Sequence, residues 1–209
     1  MAKKNLKKGI FITFEGPEGS GKSTHVRLLC SELRRRGLPV VCLREPGGTK
    51  IGEKIRNILL DAKNKDMDAV CEMLLYQAAR AQLVREKILS ALRDKKIVIL
   101  DRFLDATICY QGYGAGIDIK LIKQIGKFVT GGICPDLTIL LDIEAGKGLK
   151  RSGRRDRIEK KSLEFHRRVR KGYLKLAREN PHRIKIIPVM DEISQTQGAI
   201  REVLWRLKI

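Results

Sequence analysis

The segment FEGPEGSGKST, residues 14–24, has the residue types and spacing of a loop that holds a phosphate group. Gly16 and Gly21 leave room for backbone amides to approach phosphate oxygens. Lys22 can then reach the outer phosphates, and the hydroxyl of Ser23 can hold Mg²⁺. The sequence therefore predicts a nucleotide-binding loop whose contacts come from Gly16, Pro17, Glu18, Gly19, Ser20, Gly21, Lys22, Ser23 and Thr24.

The flanks of this segment favour the same interpretation. Residues 10–14 (IFITF) form an apolar run rich in β-branched and aromatic types, and residues 23–36 carry Val26, Leu28, Leu29 and Leu33 at helical spacing. A strand, a loop and a helix follow in that order, and the positive N-terminal end of the helix faces the anion. The alternative is a glycine-rich turn that binds nothing.

A second polar pair follows the run KIVIL, residues 96–100, which predicts a buried strand. Asp101 and Arg102 then lie at the carboxyl end of that strand, on the same rim of the sheet as the phosphate loop. An aspartate there can hold the hydration shell of Mg²⁺, and an arginine can fork onto a second phosphate. The alternative is an ion pair that closes the end of the strand.

An arginine-rich segment, LKRSGRRDRIE at residues 149–159, predicts a mobile lid at about 150–160. Ser152 and Gly153 interrupt the helical pattern, and such a segment suits closure over a triphosphate. The loop positions 17–20 contain no arginine, so the lid must supply the cation that stabilises a phosphoryl group in transfer. A solvated helix face is the alternative. The candidate cations are Arg151, Arg154, Arg155 and Arg157.

Strand and helix patterns alternate along the chain. Strands are predicted at residues 10–14, 39–43, 96–100, 137–141 and 184–189, and helices at about 23–36, 51–61, 68–93, 118–129, 162–179 and 195–208. Strands separated by helices imply a parallel sheet with helices on both faces. The predicted fold class is α/β, a three-layer α/β/α sandwich with a five-stranded parallel sheet of the P-loop NTPase type, forming one domain over residues 1–209.

The composition excludes several classes of protein. The 209 residues are 43% hydrophobic and contain no apolar run of membrane-spanning length or signal-peptide pattern, so we expect a cytoplasmic globular protein without a membrane partner. Five dispersed cysteines indicate buried thiols rather than a disulfide framework, and three scattered histidines give little support to a metal cluster. The formal net charge of +20 suits polyanionic ligands, although no nucleic-acid-binding motif accompanies it.

The chain resembles the bacterial thymidylate kinases through six motifs in order: FEGPEGSGKST, REPGGT (44–49), QAAR (77–80), DRFLDATICYQG (101–112), PDLTILLD (135–142) and DRIE (156–159). The resemblance covers nearly the whole chain. It implies Mg²⁺-dependent transfer of the γ-phosphoryl group of ATP to thymidine 5′-monophosphate (dTMP), giving the diphosphate, by a homodimer. The acceptor phosphate is already an anion, so no general base is required.

The resemblance also implies roles for particular residues. Glu18 would face the sugar 3′-hydroxyl and Arg102 would grip the 5′-phosphate, in a pocket that Arg44 and Arg56 line. Tyr76 would stack on thymine and Tyr110 would exclude a ribose 2′-hydroxyl. Arg80 and Gln111 would meet the polar edge of the base. Because Ala106 replaces a frequent serine, Thr107 would make that polar contact alone. The lid is shorter than in some relatives, so Arg154 and Arg155 both remain candidates for the transfer-state cation.

Two other functions are compatible with a phosphate loop. One is a kinase for a different nucleoside monophosphate, because the loop alone does not select the acceptor. The other is a nucleic-acid-binding ATPase, which the net charge of +20 suggests. The acceptor-side residues Arg80, Arg102 and Gln111 speak against the ATPase, whereas only a panel of monophosphates separates the two kinases.

Overall fold

The computed structural model of the protein describes residues 6–153 and 156–205. Five strands form one parallel sheet: β1 (Ile10–Glu15), β2 (Val40–Arg44), β3 (Ile97–Asp101), β4 (Leu137–Asp142) and β5 (Ile184–Pro188). Their spatial order is β2-β3-β1-β4-β5, so β1 lies at the centre with β3 and β4 as its neighbours. This confirms the predicted parallel α/β sheet.

Helices cover both faces of the sheet, because every parallel strand needs a crossover connection. The α-helices are α1 (Lys22–Arg35), α2 (Lys50–Leu60), α3 (Ala69–Leu83), α4 (Leu89–Arg93), α5 (Leu104–Thr107), α6 (Ile119–Thr130), α7 (Ala145–Ser152), α8 (Leu163–Glu179) and α9 (Ile193–Trp205). Two π-helical segments, Val84–Ile88 and Ile108–Gly114, continue α3 and α5 respectively. No described helix has the length and apolarity needed to cross a membrane.

The core lies on both sides of the sheet, and successive residues of β3 show this directly. Ile97 and Ile99 pack into a cluster with residues of α1 and α9, whereas Val98 and Leu100 pack into another with residues of α3 and its π-helical extension. All four side chains are fully buried. Strands buried on both faces have continuous apolar sequences, which is why IFITF and KIVIL predict them well.

Side-chain caps determine where several helices begin. The carboxylate of Asp68 accepts hydrogen bonds from the backbone N–H groups of Val70 and Cys71 at the start of α3, and Thr49 and Ser162 cap α2 and α8 in the same way. Such caps satisfy amides that lack an intrahelical partner. The starts of α2, α3 and α8 differ from the predicted ones by one residue.

The expectation that the cysteines are buried thiols is wrong for four of the five. Cys30 of α1 and Cys42 of β2 form a disulfide, and Cys71 and Cys134 are exposed; Cys109 is the buried free thiol. The disulfide forms because α1 packs beside β2 and brings the two Cα atoms to 6.5 Å. Spacing along the chain gives no sign of this contact between elements.

The predicted helix at 195–208 corresponds to α9, which begins at Ile193, and its last positions lie outside the described residues. The sequence-based list omits two helical stretches. One is α5 with its π-helical extension, which begins three residues after Asp101, and the other is α7, whose last residues overlap the start of the predicted lid.

Candidate active site

A cavity of about 880 Å³ opens at the carboxyl ends of β1, β2 and β3. These ends meet because the parallel register places Phe14 of β1 and Arg44 of β2 opposite Asp101 of β3. Most of the predicted site residues line this cavity: Glu18, Gly19, Gly21, Lys22, Ser23, Thr24, Arg44, Arg56, Tyr76, Arg80, Asp101, Arg102, Thr107, Tyr110 and Gln111. Arg154 and Arg155 lie outside the described residues.

The phosphate loop lies between β1 and α1, and Lys22 fills its centre. The ammonium group of Lys22 donates to the carbonyl oxygens of Gly16 (3.0 Å) and Pro17 (2.8 Å) and to Ser20 Oγ (3.2 Å). Gly21, with a φ of 83°, precedes the helix in a left-handed conformation that glycine adopts without strain. The loop thus surrounds one buried cation with oxygen atoms, and a phosphate can replace these acceptors.

The environment of Lys22 lowers the pKa of its ammonium group. Burial, and then the nearby positive charge of Arg102, lower the pKa of Lys22 to about 8, although Glu18 and Asp101 oppose the shift. The ammonium form therefore predominates at neutral pH, where it can pair with the outer phosphates of a nucleotide.

Ser23 and Asp101 form the predicted metal-binding pair. Ser23 Oγ donates to Asp101 Oδ2 at 2.5 Å, which joins the first turn of α1 to the end of β3. A hydroxyl and a carboxylate so placed, beside a phosphate loop, match the few protein oxygens with which Mg²⁺ is held alongside waters and phosphate oxygens. The residues present therefore fit Mg²⁺.

Arg102 has an unusual backbone conformation at the rim of the same cavity. Its φ is 69°, in the left-handed region that few non-glycine residues adopt, and its N–H donates to the carbonyl oxygen of Phe14. The guanidinium donates through Nη2 to Glu18 Oε1 (2.8 Å) and Tyr110 Oη (3.2 Å), and it lies over the Tyr110 ring. Strain of this kind concentrates at functional sites.

Glu18 connects the phosphate loop to this arginine. Its Oε1 also accepts from the Tyr110 hydroxyl at 2.9 Å. Burial would raise the pKa of Glu18, but the charges of Arg102 and Lys22 outweigh burial and lower that pKa to about 2. A permanently ionised carboxylate therefore holds the Arg102 head group beside the loop, where both can meet a second phosphorylated molecule.

The far wall of the cavity comes from α3 and the π-helical segment after α5. Tyr76 is half-buried there, one helical turn before Arg80, so both side chains point the same way. Arg80 is fully buried and donates to Glu45, to Gln77, and to Thr107 Oγ1 at 3.0 Å. The structure thus combines an aromatic face with a fixed guanidinium, as recognition of a planar base requires.

Arg44 and Arg56 lie at the open side of the cavity. Arg44 is exposed, and its Nη2 donates to both carboxylate oxygens of Glu53, at 3.0 and 2.9 Å. Arg56 is half-buried and donates to the carbonyl oxygen of Pro46. An exposed ion pair is weak, so the Arg44 guanidinium can turn to an anionic ligand at little cost.

The predicted lid divides into two parts. Arg151, near the end of α7, is exposed and lines the cavity, as do Ser152 and Asp156. Arg157 does not face the phosphate loop: it is buried, pairs with Glu72 at 2.6 Å and donates to the carbonyl oxygen of Leu59. The expectation that Arg157 belongs to a cationic lid surface is therefore wrong, because Arg157 and Ile158 are buried against the rest of the fold and form what we call the anchor of the lid.

Three carboxylates near the cavity were missed by the sequence analysis. Glu45 pairs with Arg80, and burial raises the pKa of Glu45 to about 7 despite that arginine. Glu15 accepts from the Phe103 N–H and the Tyr173 hydroxyl, and burial followed by the charge of Asp105 raises its pKa to about 8. Glu72 shares one face of α3 with Tyr76 and Arg80 at spacings of four and eight, a periodicity that identifies it from the sequence.

The parallel sheet, the loop after its central strand and the arginine-lined pocket beside that loop define a phosphotransferase of the P-loop class. Residues 14–200 match the family model described as thymidylate kinase. A thymidylate kinase of Thermoanaerobacter sp. (strain X514) is 48% identical over 199 residues, covering 94% of this chain and 98% of that protein. One of Geotalea uraniireducens (strain Rf4) is 47% identical over 209 residues, covering 95% and 98%.

A solved structure agrees with these sequence relatives. The crystal structure of thymidylate kinase from Ehrlichia chaffeensis superimposes with a TM-score of 0.80 at 38% identity, over 95% of this chain and 99% of that one. The chain therefore belongs to the thymidylate kinase family.

Proposed function

We propose that the protein transfers the γ-phosphoryl group of ATP to dTMP, forming dTDP and ADP. The observation that carries the proposal is the arrangement of two anion sites on one cavity. Lys22 fills the first, and Arg102 forms the second, with its Nη1 only 3.4 Å from the carbonyl oxygen of Gly16 in the first site's loop. Membership of the thymidylate kinase family supports the choice of acceptor.

The reaction needs alignment and charge neutralisation rather than a proton acceptor. An oxygen of the acceptor 5′-phosphate, already ionised, forms a bond to the γ-phosphorus while the bond to the β,γ-bridging oxygen breaks and ADP leaves. Lys22 holds the outer phosphates of the donor, and Arg102 holds the acceptor phosphate in line. Mg²⁺, held by Ser23 and Asp101, would neutralise charge on the donor phosphates.

The lid supplies the remaining positive charge. Arg151 is the arginine of the predicted lid group that lies at the cavity among the described residues, and Arg154 and Arg155 follow it in sequence. Closure of this segment would place a guanidinium over the transferred group and would exclude water, which would otherwise receive the phosphoryl group.

The acceptor pocket supports thymine among the bases. Tyr76 offers a stacking face, and the Arg80 guanidinium can only donate hydrogen bonds, which matches the O4 carbonyl of thymine and opposes the amino group of cytosine. The Tyr110 hydroxyl, held between Glu18 and Arg102, would occupy the space of a ribose 2′-hydroxyl.

A panel of monophosphates tests the proposal. ADP release is measured in a coupled assay with ATP, Mg²⁺ and one of dTMP, dUMP, dCMP, UMP or CMP. We expect the highest kcat/KM with dTMP. Preference for CMP or UMP would overturn the thymine pocket, and hydrolysis stimulated by DNA without any monophosphate would instead favour a nucleic-acid-dependent ATPase.

We also propose that two copies of the chain associate through α3 and α6, which pack beside each other. Large apolar side chains are exposed on both helices, among them Leu74 (49% exposed), Leu121 (44%) and Phe128 (82%). An exposed apolar surface of this kind is typical of a protein interface. Sedimentation of wild type and of Phe128→Asp tests this, because the substitution should shift a dimer towards monomer; a wild-type monomer would refute it.

The proposed location is the cytoplasm, where ATP and nucleoside monophosphates are both available. These anions do not cross membranes unaided, which favours the compartment where both are available. Fractionation of cells that express the chain would test the location directly.

A further inference from the structure

Glu72 is a fully buried carboxylate on the face of α3 that points to the cavity. Tyr76 and Arg80 follow it at successive helical turns, so the three side chains form one row. A buried carboxylate is costly unless charges or hydrogen bonds compensate it. The groups that contact its carboxylate therefore indicate the role of Glu72.

The two oxygens of Glu72 have different partners. Oε1 accepts a hydrogen bond of 2.7 Å from the side-chain Nε2 of Gln111. Oε2 lies 2.6 Å from Nη1 of Arg157 and 3.4 Å from the ammonium group of Lys161. Arg157 is itself fixed, because its Nε donates to the carbonyl oxygen of Leu59 at 2.8 Å.

This arrangement determines the orientation of the Gln111 amide. A side-chain amide has a donor end and an acceptor end that are nearly equal in shape, and only a hydrogen-bonding partner selects between them. A carboxylate ion can only accept, so Nε2 must face Glu72. The acceptor Oε1 is then the polar atom that Gln111 can offer to a ligand in the cavity that it lines.

The resulting pattern distinguishes thymine from cytosine. Thymine presents the O4 acceptor beside the N3–H donor, and cytosine presents an amino donor beside an unprotonated N3 acceptor. Arg80 offers a donor and Gln111, in this orientation, offers an acceptor, which together complement thymine. With the amide reversed, Gln111 would present a donor that suits N3 of cytosine instead.

We propose that Glu72 is a positioning residue that sets base specificity by fixing the Gln111 amide, and that Arg157 holds Glu72 in place. The inference rests on the proposed acceptor. It also connects the anchor of the lid to the recognition of the base, because Arg157 belongs to the segment between α7 and α8. Glu72 does not touch the substrate and acts through Gln111.

A purely structural role makes a different prediction. If Glu72 only compensated the charge of Arg157, its replacement would lower stability and reduce turnover of every acceptor by the same factor. If Glu72 orients Gln111, the ratio between two acceptors that differ only at the polar edge of the base must change.

The test uses Glu72→Gln, which keeps the shape but can either donate to or accept from Gln111. The acceptors are dTMP and 5-methyl-dCMP, which differ at position 4 and in the protonation of N3. We expect the ratio of kcat/KM for dTMP to that for 5-methyl-dCMP to fall by at least roughly tenfold, the value of one hydrogen bond. In a Gln111→Met background, the same substitution should leave the ratio unchanged.

Two further variants keep the test decisive. Glu72→Gln with Arg157→Met removes both charges of the buried pair, so it serves if the single variant does not fold, and it should lower the ratio in the same way. Asp105→Asn breaks another largely buried carboxylate–arginine pair, with Arg183, and should leave the ratio at the wild-type value.

The outcomes separate the inference from the proposed function. If wild type does not phosphorylate dTMP, the proposed function is wrong. If wild type prefers dTMP but a folded Glu72 variant retains the full ratio, the positioning role is wrong and the function stands. A fall in the ratio that persists equally in the Gln111→Met background also overturns the inference.

Discussion

Replacement of Arg102 by lysine tests the acceptor site most directly. Lysine keeps the positive charge and experiences the same left-handed backbone cost, so the comparison isolates the shape of the head group. Arg102 Nη2 donates to both Glu18 Oε1 and Tyr110 Oη, whereas Nη1 has only long contacts of 3.4 Å to Gly16 O and Tyr173 Oη and can turn to a phosphate. A lysine ammonium at this place can hold Glu18 or the acceptor phosphate well, but not both with good geometry.

The magnitude follows from the hydrogen bonds at stake. A hydrogen bond to a charged group contributes about 1.5–3 kcal/mol. Loss of one or two of these to the acceptor phosphate corresponds to about 3 kcal/mol of transition-state stabilisation, which lowers kcat/KM for dTMP roughly 100-fold. The KM for ATP should change little, because Lys22 rather than Arg102 fills the donor loop.

The assay is coupled ADP release at varied dTMP and saturating ATP, and then the reverse. Arg183→Lys is the matched control: Arg183 also forks onto a carboxylate, Asp105, at 2.6 and 3.1 Å, but it does not line the cavity. A kcat/KM for dTMP within threefold of wild type in the Arg102 variant would refute the assignment. An equal rise in the KM for ATP would place Arg102 at the donor instead.

Three other predictions use titration and covalent structure. ATP affinity should fall as the pH rises above about 8, by at most tenfold per pH unit, because Lys22 is charged below its lowered pKa; calorimetric titration between pH 7 and 9.5 measures this. Burial and the charge of Asp105 raise the pKa of Glu15 to about 8, so the folded state keeps a proton that the unfolded state loses near pH 4.5. The free energy of unfolding should therefore fall as the pH rises between these two values. Glu15→Gln should remove that decline in urea titrations. Without reductant, Cys30→Ser should lower the free energy of unfolding by roughly 3 kcal/mol, since the disulfide with Cys42 closes a loop with a sequence separation of 12. Equal unfolding midpoints for variant and wild type without reductant would contradict this.

The parallel sheet could be predicted from the sequence because its strands are apolar on both faces. Residues 97–100 illustrate this: each side chain is buried on one side of the sheet or the other, so no polar residue interrupts the run. The site at the carboxyl ends then follows from parallel register, which places Asp101 beside the loop after β1 without any knowledge of side-chain contacts.

The contacts between distant segments could not be predicted in the same way. Arg157 and Leu59 are 98 positions apart, and no periodicity links the DRIE motif to α2 or α3. An arginine in a basic segment is usually solvated, so its burial depends on a carboxylate that the fold places opposite it. The disulfide between Cys30 and Cys42 is of the same kind, because it depends on how α1 lies against β2.

The π-helical segment Ile108–Gly114 has a consequence for protein engineering. Its hydrogen bonds span five residues rather than four, so the segment contains one residue more than an ordinary helix of the same length would need. Deletion of a single residue there would restore regular pitch and rotate Tyr110 or Gln111 by roughly 100° relative to the rest of the helix. With the proposed roles of Tyr110 and Gln111, we therefore expect a variant shortened by one residue in this turn to fold but to lose its preference among nucleotides.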